Sequence, residues 1–194
     1  MYKNFFKRMM DIVLSVAAIF VLALPMLIIA VIVRVDSPGP ALFRQTRVGR
    51  AGKEFLMLKF RTMKTSAPHD MPTDEFEGAS QYVTRTGKFL RRSSLDELPQ
   101  LFNVLRGHMS FIGPRPALPS QTELLAQREQ NGAAALRPGL SGWAQINGRD
   151  MLDDGRKAEL DGEYAEKVSF TFDVKCFFGT IKCVLRADGF CDEK

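Results

Sequence analysis

The sequence predicts a mainly α-helical protein with a small β-hairpin, in which a membrane-anchoring segment precedes a compact, basic soluble domain. Three observations support this fold class. Residues 12–33 form an apolar run without a charge, and two short apolar stretches flank a glycine-containing loop near residue 50. Most of the remaining chain repeats its apolar residues at helical spacing. We therefore divide the chain into a membrane anchor, residues 1–36, and a soluble domain, residues 37–194.

The apolar run would measure roughly 33 Å as a straight helix, which is long enough to cross a bilayer. A helix that spans the membrane once is one interpretation. Pro25, however, lies near the middle of the run and favours a kink because it lacks a backbone N–H. Basic residues, which favour the cytoplasmic side, flank the run on both sides: Lys3, Lys7 and Arg8 before it, and Arg34, Arg44, Arg47, Arg50 and Lys53 after it. We therefore predict a re-entrant helix that enters and leaves by one face, with a kinked spanning helix as the alternative.

The soluble domain shows short elements separated by clear turn signals. Residues 42–46 and 55–63 are predicted strands, and residues 48–53 supply the glycines of a hairpin loop. Residues 66–80 predict a surface loop. Helices are predicted over 98–105, ending at Gly107, over 122–131 and over 154–167. The last helix, about residues 172–186, is basic and amphipathic, which is typical either of a core-packing helix or of one lying in the membrane interface.

The charge and cysteine content restrict the function. The formal net charge of +5 suits an anionic partner, which could be nucleic acid, phospholipid headgroups or a phosphorylated substrate. The lysines and arginines are spread among glycine- and proline-rich motifs without a recognisable nucleic-acid module, so we predict no nucleic-acid partner. Three cysteines without a Cys-x-x-Cys pair indicate neither a disulfide framework nor a zinc site. A cytosolic location of the soluble domain fits best.

Adjacent carboxylates at Asp96 and Glu97 precede an apolar-periodic helix. Ser94 to Glu97 matches a Ser-x-x-Glu capping box, which is a common structural motif. Pro99 is tolerated only in the first turn of a helix, so we expect the helix to begin close to Asp96. The positive end of the helix dipole would then favour ionised carboxylates and could receive a phosphate. Since adjacent helical residues project about 100° apart, we expect separate roles: one carboxylate attacks, and the other positions a metal or a lipid phosphate.

A carboxylate that attacks an anionic phosphate needs cations to offset the like-charge repulsion. Arg115 lies between two prolines, which restrict its backbone and would pre-orient its guanidinium for phosphate binding. The sequence offers the following candidate cations, each of which could also be a solvated surface charge: Lys59, Arg61, Arg91, Arg92, Arg115 and Arg149.

Four motifs in this order resemble the bacterial sugar transferase family, whose members are monotopic phosphoglycosyl transferases. The motifs are Lys59-Phe-Arg-Thr-Met, Ser94-Leu-Asp-Glu-Leu-Pro-Gln-Leu-Phe-Asn-Val-Leu, Met109-Ser-Phe-Ile-Gly-Pro-Arg-Pro and Arg137-Pro-Gly-Leu-Ser-Gly-Trp-Ala-Gln-Ile-Asn-Gly-Arg. The resemblance covers nearly the whole chain. The short length of the chain is similar to that of the minimal family members, which initiate bacillosamine-type glycan assembly. Family members carry a re-entrant helix broken at Ser-Pro, where this chain has Leu24-Pro25.

The resemblance implies a two-step reaction at the cytoplasmic face of the bacterial inner membrane, where phospholipid surrounds the anchor. Asp96 would attack the sugar-linked phosphate of a UDP-sugar, release UMP and hold the sugar phosphate, which polyprenyl phosphate (undecaprenyl phosphate) would then accept. Family members need Mg²⁺, and Glu97 matches the carboxylate placed at the metal. Lys59, Arg91, Arg115 and Arg149 match the basic positions expected to line the phosphate site.

Several alternatives stay open. Direct transfer in a ternary complex, with the carboxylates only binding Mg²⁺, is the main rival, and a non-catalytic basic membrane scaffold is a rival from another class. The sequence does not identify the sugar; chain length alone favours diacetylated bacillosamine over an N-acetylhexosamine or a hexose. The oligomeric state is equally open, with a homodimer as one alternative.

Overall fold

The computed structural model describes residues 2–67, 78–148 and 151–186. A π-helical turn, Tyr2–Phe6, leads into helix α1, Lys7–Asp36, which contains Pro25 and is helical throughout. Among the described residues, α1 is the one helix long and apolar enough to cross a membrane by length and composition, which fits membrane association. The re-entrant geometry and the division at residue 36 stay predictions.

A hairpin of two antiparallel strands follows α1, as the sequence predicts. Strand β1, Leu42–Val48, pairs with β2, Glu54–Phe60, in a register that places Leu42 opposite Phe60. The predicted second strand is too long at its end, because β2 stops at Phe60 and Met63 instead forms an isolated bridge with Val83. A short 3₁₀ turn, Arg50–Gly52, connects the strands.

The remaining elements are mostly helices, and the three predicted from apolar periodicity are confirmed within a residue or two. These are α3, Gln100–Arg106, α4, Thr122–Gln130, and α6, Asp154–Lys167. Gly107 ends α3 in the left-handed conformation, with φ of 85°, as its predicted capping position requires. The sequence analysis does not predict α2, Arg85–Arg92, or the single-turn helix α5, Trp143–Ile146.

A second, parallel two-stranded sheet also lies outside the predicted elements. Its strands are β3, Ser110–Ile112, and β4, Gly139–Ser141. The strands belong to the glycine- and proline-rich motifs, where three-residue stretches are too short to show a period. A Cβ atom on Gly139 would lie 2.2 Å from the Gly113 nitrogen, so this close approach of the two backbones requires glycine.

Helix α1 lies against the soluble domain at both of its ends. Near its N-terminus, Arg8 donates to the carbonyls of Val104 and Leu105 at the end of α3, at 2.6 and 2.8 Å. Near its C-terminus, Val33 and Met26 belong to a buried apolar cluster with residues of β2 and α2. The opposite face of α1 is exposed and apolar, with Phe20 85% and Val35 82% exposed. The anchor therefore packs along the domain rather than projecting away from it.

The last helix, α7, Phe170–Arg186, presents two different faces. Cys176 on one face is fully buried against Tyr164 and Ile112. On the other face, Phe177 and Phe178 are 50% and 64% exposed. Core packing is therefore confirmed for one side of this helix, and the exposed aromatic residues lie on the other side, where contact with the membrane interface stays a prediction.

Candidate active site

The two predicted catalytic carboxylates lie in a 3₁₀ turn, Leu95–Glu97, rather than in the first turn of α3. The prediction that the helix begins close to Asp96 is wrong, because α3 begins at Gln100, after Pro99. Pro99 is well placed directly before the helix, because a backbone N–H there would have no partner within the helix and proline has none. Asp96 and Glu97 therefore lie in a separate turn that precedes α3.

The capping box that the Ser94-x-x-Glu97 spacing suggests does not form. Ser94 adopts the left-handed conformation, with φ of 55°, and its side chain caps no helix N–H. Instead the Glu97 backbone N–H donates to the Ser94 carbonyl at 3.3 Å. A non-glycine residue in this conformation is uncommon and costs about 1–3 kcal/mol. Such strain often marks functional sites, and here it lies directly beside the carboxylate pair.

Asp96 is buried, with only 8% of its surface exposed. Burial raises the pKa of its carboxyl, and the neighbouring Glu97 adds to the rise. Lys59, Arg91 and Arg115 act in the opposite direction and lower the pKa. The ionisation of Asp96 therefore depends on the balance between burial and the Glu97 charge, which raise its pKa, and the three cations, which lower it. All three are residues that the sequence analysis singles out for the phosphate site.

Glu97 is bound to two of these cations. Its Oε1 accepts from the Lys59 ammonium at 2.9 Å and from the Arg115 guanidinium at 3.4 Å. Lys59 comes from β2 and Arg115 from the loop after β3, so three chain segments meet at this carboxylate. Arg91, near the end of α2, donates through Nε to the Thr62 hydroxyl at 3.0 Å.

Of the remaining candidate cations, Arg61 points away from this cluster. Arg61 is 5% exposed, and its guanidinium donates to the carbonyls of Val33, Ser37 and Pro38 at the C-terminal end of α1. These three bonds make it a helix-capping residue. Arg92 is exposed. Arg149 lies outside the described residues, as does most of the predicted loop 66–80.

Asn103 is a buried residue of the site's framework that the sequence analysis missed. Its side chain accepts from the Leu58 N–H at 3.0 Å and donates to the Leu56 carbonyl at 2.7 Å. These bonds fasten α3 to β2, the strand that carries Lys59. The available signal was an asparagine inside the apolar-periodic run Leu-Phe-Asn-Val-Leu, where a polar residue needs a buried partner.

The described residues contain no group of three or more histidine, cysteine or acidic side chains that could hold a metal ion. Mg²⁺ keeps several waters and uses one or two carboxylates together with substrate phosphates. Asp96 and Glu97 supply oxygen ligands of the right kind beside the cations. The donor set therefore fits Mg²⁺ bound together with a phosphate substrate, and does not fit a site built from protein ligands alone.

The site consists of a carboxylate pair among lysine and arginine side chains, on a domain that packs against a long apolar helix. These features define a candidate site for an anionic substrate. Comparison with known proteins identifies the family. Residues 2–187 match the bacterial sugar transferase family, and the chain belongs to it. The resemblance found in the four motifs is confirmed.

Relatives whose names state an activity are named as sugar phosphotransferases. The chain is 41% identical over 182 residues to the UDP-glucose:undecaprenyl-phosphate glucose-1-phosphate transferase of Escherichia coli (strain K12), covering 90% of this chain and 39% of that protein. It is 39% identical to the UDP-N-acetylgalactosamine-undecaprenyl-phosphate N-acetylgalactosaminephosphotransferase of Aeromonas hydrophila, covering 95% of this chain and 45% of that protein. An uncharacterized sugar transferase of Bacillus subtilis (strain 168) is 40% identical over 94% of this chain and 89% of its own length. The chain thus spans less than half the length of the E. coli and A. hydrophila relatives.

Proposed function

We propose that this protein transfers a sugar 1-phosphate from a UDP-sugar to a membrane polyprenyl phosphate, undecaprenyl phosphate, and releases UMP. The observation that carries the proposal is Asp96, a buried carboxylate with Lys59, Arg91 and Arg115 around it. This arrangement reduces the repulsion between an attacking carboxylate and an anionic diphosphate. The names of the E. coli and A. hydrophila relatives state activities of this reaction class, which supports the proposal.

The proposed mechanism has two displacement steps at one phosphorus atom. In the first, an Asp96 carboxylate oxygen attacks the sugar-linked phosphorus of the UDP-sugar, and the bond to the bridging oxygen breaks to release UMP. In the second, an oxygen of polyprenyl phosphate attacks the same phosphorus and expels Asp96 as a carboxylate. The product is polyprenyl-diphosphate-sugar. Such a ping-pong route lets a soluble donor and a membrane-bound acceptor use one site in turn.

The neighbouring side chains have distinct roles in this scheme. Lys59 and Arg115 bind the phosphates and fix Glu97, to which both already donate. Arg91, held by Thr62, adds positive charge on the α2 side. Arg149, which matches a basic position of the family, stays a proposed phosphate ligand outside the described residues. Glu97 would hold Mg²⁺, which when bound would neutralise charge on the diphosphate.

We further propose that α1 enters the membrane from the cytoplasmic face and returns to it. A 30-residue helix is about 45 Å long. Contacts of its two ends with the same domain, through Arg8 at one end and Val33 at the other, are hard to reconcile with a straight crossing. They support a monotopic arrangement at the bacterial inner membrane, in which the exposed side of α1 and the aromatic face of α7 meet lipid. Single cysteines at positions 3 and 40 in sealed vesicles should react from the same side; reaction from opposite sides would contradict the proposal.

The decisive test of the mechanism uses Asp96→Asn without lipid acceptor. Asparagine is nearly the same size, so the buried site keeps its packing while the nucleophile is lost. We expect wild-type protein to release one UMP per active site and to gain the mass of a sugar phosphate, and the variant to do neither. The matched control is Glu123→Gln, the same kind of change at an exposed position of α4.

Direct transfer in a ternary complex is the alternative. It predicts no UMP release and no adduct in either protein until polyprenyl phosphate is added. Normal acceptor-free UMP release by Asp96→Asn would show that Asp96 is not the nucleophile.

The sugar is best sought by screening. The names of two relatives contain glucose and N-acetylgalactosamine, so UDP-glucose and UDP-N-acetylgalactosamine are the first donors to test. The earlier preference for diacetylated bacillosamine stays a prediction and belongs in the same screen. Acceptor-free UMP release ranks the donors directly, and a homodimer can be examined on the same preparations.

A further inference from the structure

The segment around Arg115 is held by an unusual row of hydrogen bonds. Pro114 and Pro116 lack backbone N–H groups, so the carbonyls are the main backbone atoms through which the rest of the domain can hold this segment. Four consecutive carbonyls each accept from a different donor. The Gly139 N–H binds the Pro114 carbonyl at 2.7 Å, Arg128 Nη1 the Arg115 carbonyl at 2.9 Å, Arg47 Nη1 the Pro116 carbonyl at 3.1 Å, and the Val48 N–H the Ala117 carbonyl at 2.9 Å.

The Arg128 bond stands out because its donor is a buried ion pair. Arg128, on α4, is 6% exposed, and its partner Asp161, on α6, is 1% exposed. The Arg128 guanidinium donates to Asp161 Oδ2 through Nε at 2.9 Å and through Nη2 at 2.6 Å. With two N–H groups engaged by the carboxylate, the planar guanidinium has a fixed orientation, and Nη1 is aimed at the Arg115 carbonyl.

Holding this carbonyl controls the direction of the Arg115 backbone. The direction of a carbonyl is set by the ψ angle of its residue, and the following proline already disfavours helical ψ at Arg115. The Arg128 bond selects one orientation within the remaining range. The Arg115 side chain itself is 42% exposed and reaches Glu97 at 3.4 Å. Its placement therefore depends on the backbone from which it projects.

We infer that Arg128, fixed by Asp161, is a positioning residue that sets the direction of the Arg115 guanidinium in the phosphate site. The inference rests on the proposed role of Arg115 in binding the phosphates of the UDP-sugar. Arg128 does not have to contact the substrate, since it acts through the backbone of its neighbour. A buried ion pair is a weak source of net stability, so its orientation of the loop is the more specific contribution.

The test is a double-mutant cycle on the full chain in nanodiscs that contain undecaprenyl phosphate. The variants are Arg115→Ala, Arg128→Lys and the two combined. Lysine keeps the charge opposite Asp161, but its single ammonium lacks the planar fork that binds the carboxylate and the Arg115 carbonyl together. Asn131→Ala is the matched control, because Asn131 also joins α4 to α6, through a 2.7 Å bond to the Ala158 carbonyl.

The readout is kcat/KM for the donor that supports the fastest UMP release. We expect Arg128→Lys to lower it roughly ten- to hundredfold, as misplacement of a binding group by about 1 Å can do. The double variant should be no worse than Arg115→Ala alone, because Arg128 acts only through Arg115. Asn131→Ala should keep the wild-type value.

Three outcomes would contradict the reasoning, and they are distinguishable. Losses that multiply in the double variant would overturn the inference and leave the role of Arg115 intact. An Asn131→Ala variant as impaired as Arg128→Lys would attribute the loss to general loosening of α4 against α6, and would also overturn it. A normal kcat/KM for Arg115→Ala would instead contradict the proposed phosphate-binding role of Arg115.

Discussion

Arg61 offers a sharp test of structure against sequence pattern, because the two assign it different roles. The sequence places it among the candidate phosphate ligands, two residues after Lys59. In the structure its guanidinium donates to the carbonyls of Val33, Ser37 and Pro38, at 3.1, 2.6 and 2.7 Å. The perturbation we consider is Arg61→Met, which keeps the length of the side chain and removes its donors.

The expected loss of stability follows from these three acceptors. Hydrogen bonds to charged groups contribute about 1.5–3 kcal/mol each, and part of this offsets the cost of burying the guanidinium. Taking about 1 kcal/mol net for each carbonyl left without a donor gives a destabilisation of about 3 kcal/mol. For a chain of this size, 1 kcal/mol corresponds to about 2–4 °C, so the midpoint of thermal unfolding should fall by about 6–12 °C.

The assay is thermal unfolding in detergent micelles followed by circular dichroism. Arg44→Met is the matched control, because Arg44 is an exposed arginine on β1 of the same hairpin and should unfold at nearly the wild-type temperature. Donor kinetics at a temperature where every variant is folded complete the comparison. If Arg61→Met unfolds like the wild type but shows a raised KM for the donor, Arg61 is a phosphate ligand and the capping assignment is wrong.

Three further predictions address ionisation, lipid contact and metal. Lys59→Met should shift the acid limb of the pH profile of donor kcat/KM to higher pH: Lys59 lowers the pKa of Asp96, its loss raises that pKa, and the ionised nucleophile disappears sooner as pH falls; a limb that stays in place or moves to lower pH would contradict this. In a synthetic peptide of residues 170–186, which lacks α1, Phe177→Ser combined with Phe178→Ser should lower partitioning onto anionic vesicles roughly tenfold, measured by flotation, whereas the exposed Thr171→Ser should not. EDTA should suppress UMP release and added Mg²⁺ restore it; full activity in EDTA would remove the metal from the proposal.

A helical pattern closed by a glycine predicts α3 and α4, and α6 is predicted without such a stop. No such pattern marks α2, whose sequence Arg-Thr-Gly-Lys-Phe-Leu-Arg-Arg has two apolar side chains and a glycine that is required by packing. A Cβ atom on Gly87 would lie 2.0 Å from the Thr62 carbonyl oxygen. The close approach of α2 to the Thr62 backbone therefore requires glycine, although glycine is a poor helix former. Such tertiary contacts leave no periodic trace in the sequence.

The candidate site divides in the same way. Residue type and proline spacing located Asp96, Glu97 and Arg115, because carboxylates near a helix start and an arginine between prolines have local physical meanings. Spacing could not separate Lys59 from Arg61. Lys59 lies within β2 and reaches Glu97, whereas Arg61 comes just after the end of β2 at Phe60 and turns to the end of α1. Only the position of α1 decides between them, and that position is a property of the whole fold.

The turn that carries the two carboxylates packs against the same apolar cluster as α1. Leu95 and Leu98, which flank Asp96 and Glu97, pack on the cluster that contains Met26 and Val33 of α1. A displacement of α1 relative to the domain would therefore disturb the cluster beside Asp96, and in the proposed arrangement the depth of α1 in the bilayer would set the height of Asp96 above the lipid. In the proposed reaction the acceptor phosphate stays at the membrane surface while the donor arrives from solution. If Asp96 carries the sugar phosphate as proposed, the cluster shared by its turn and α1 would hold the intermediate at the level of the acceptor, without requiring the domain to move between the two steps.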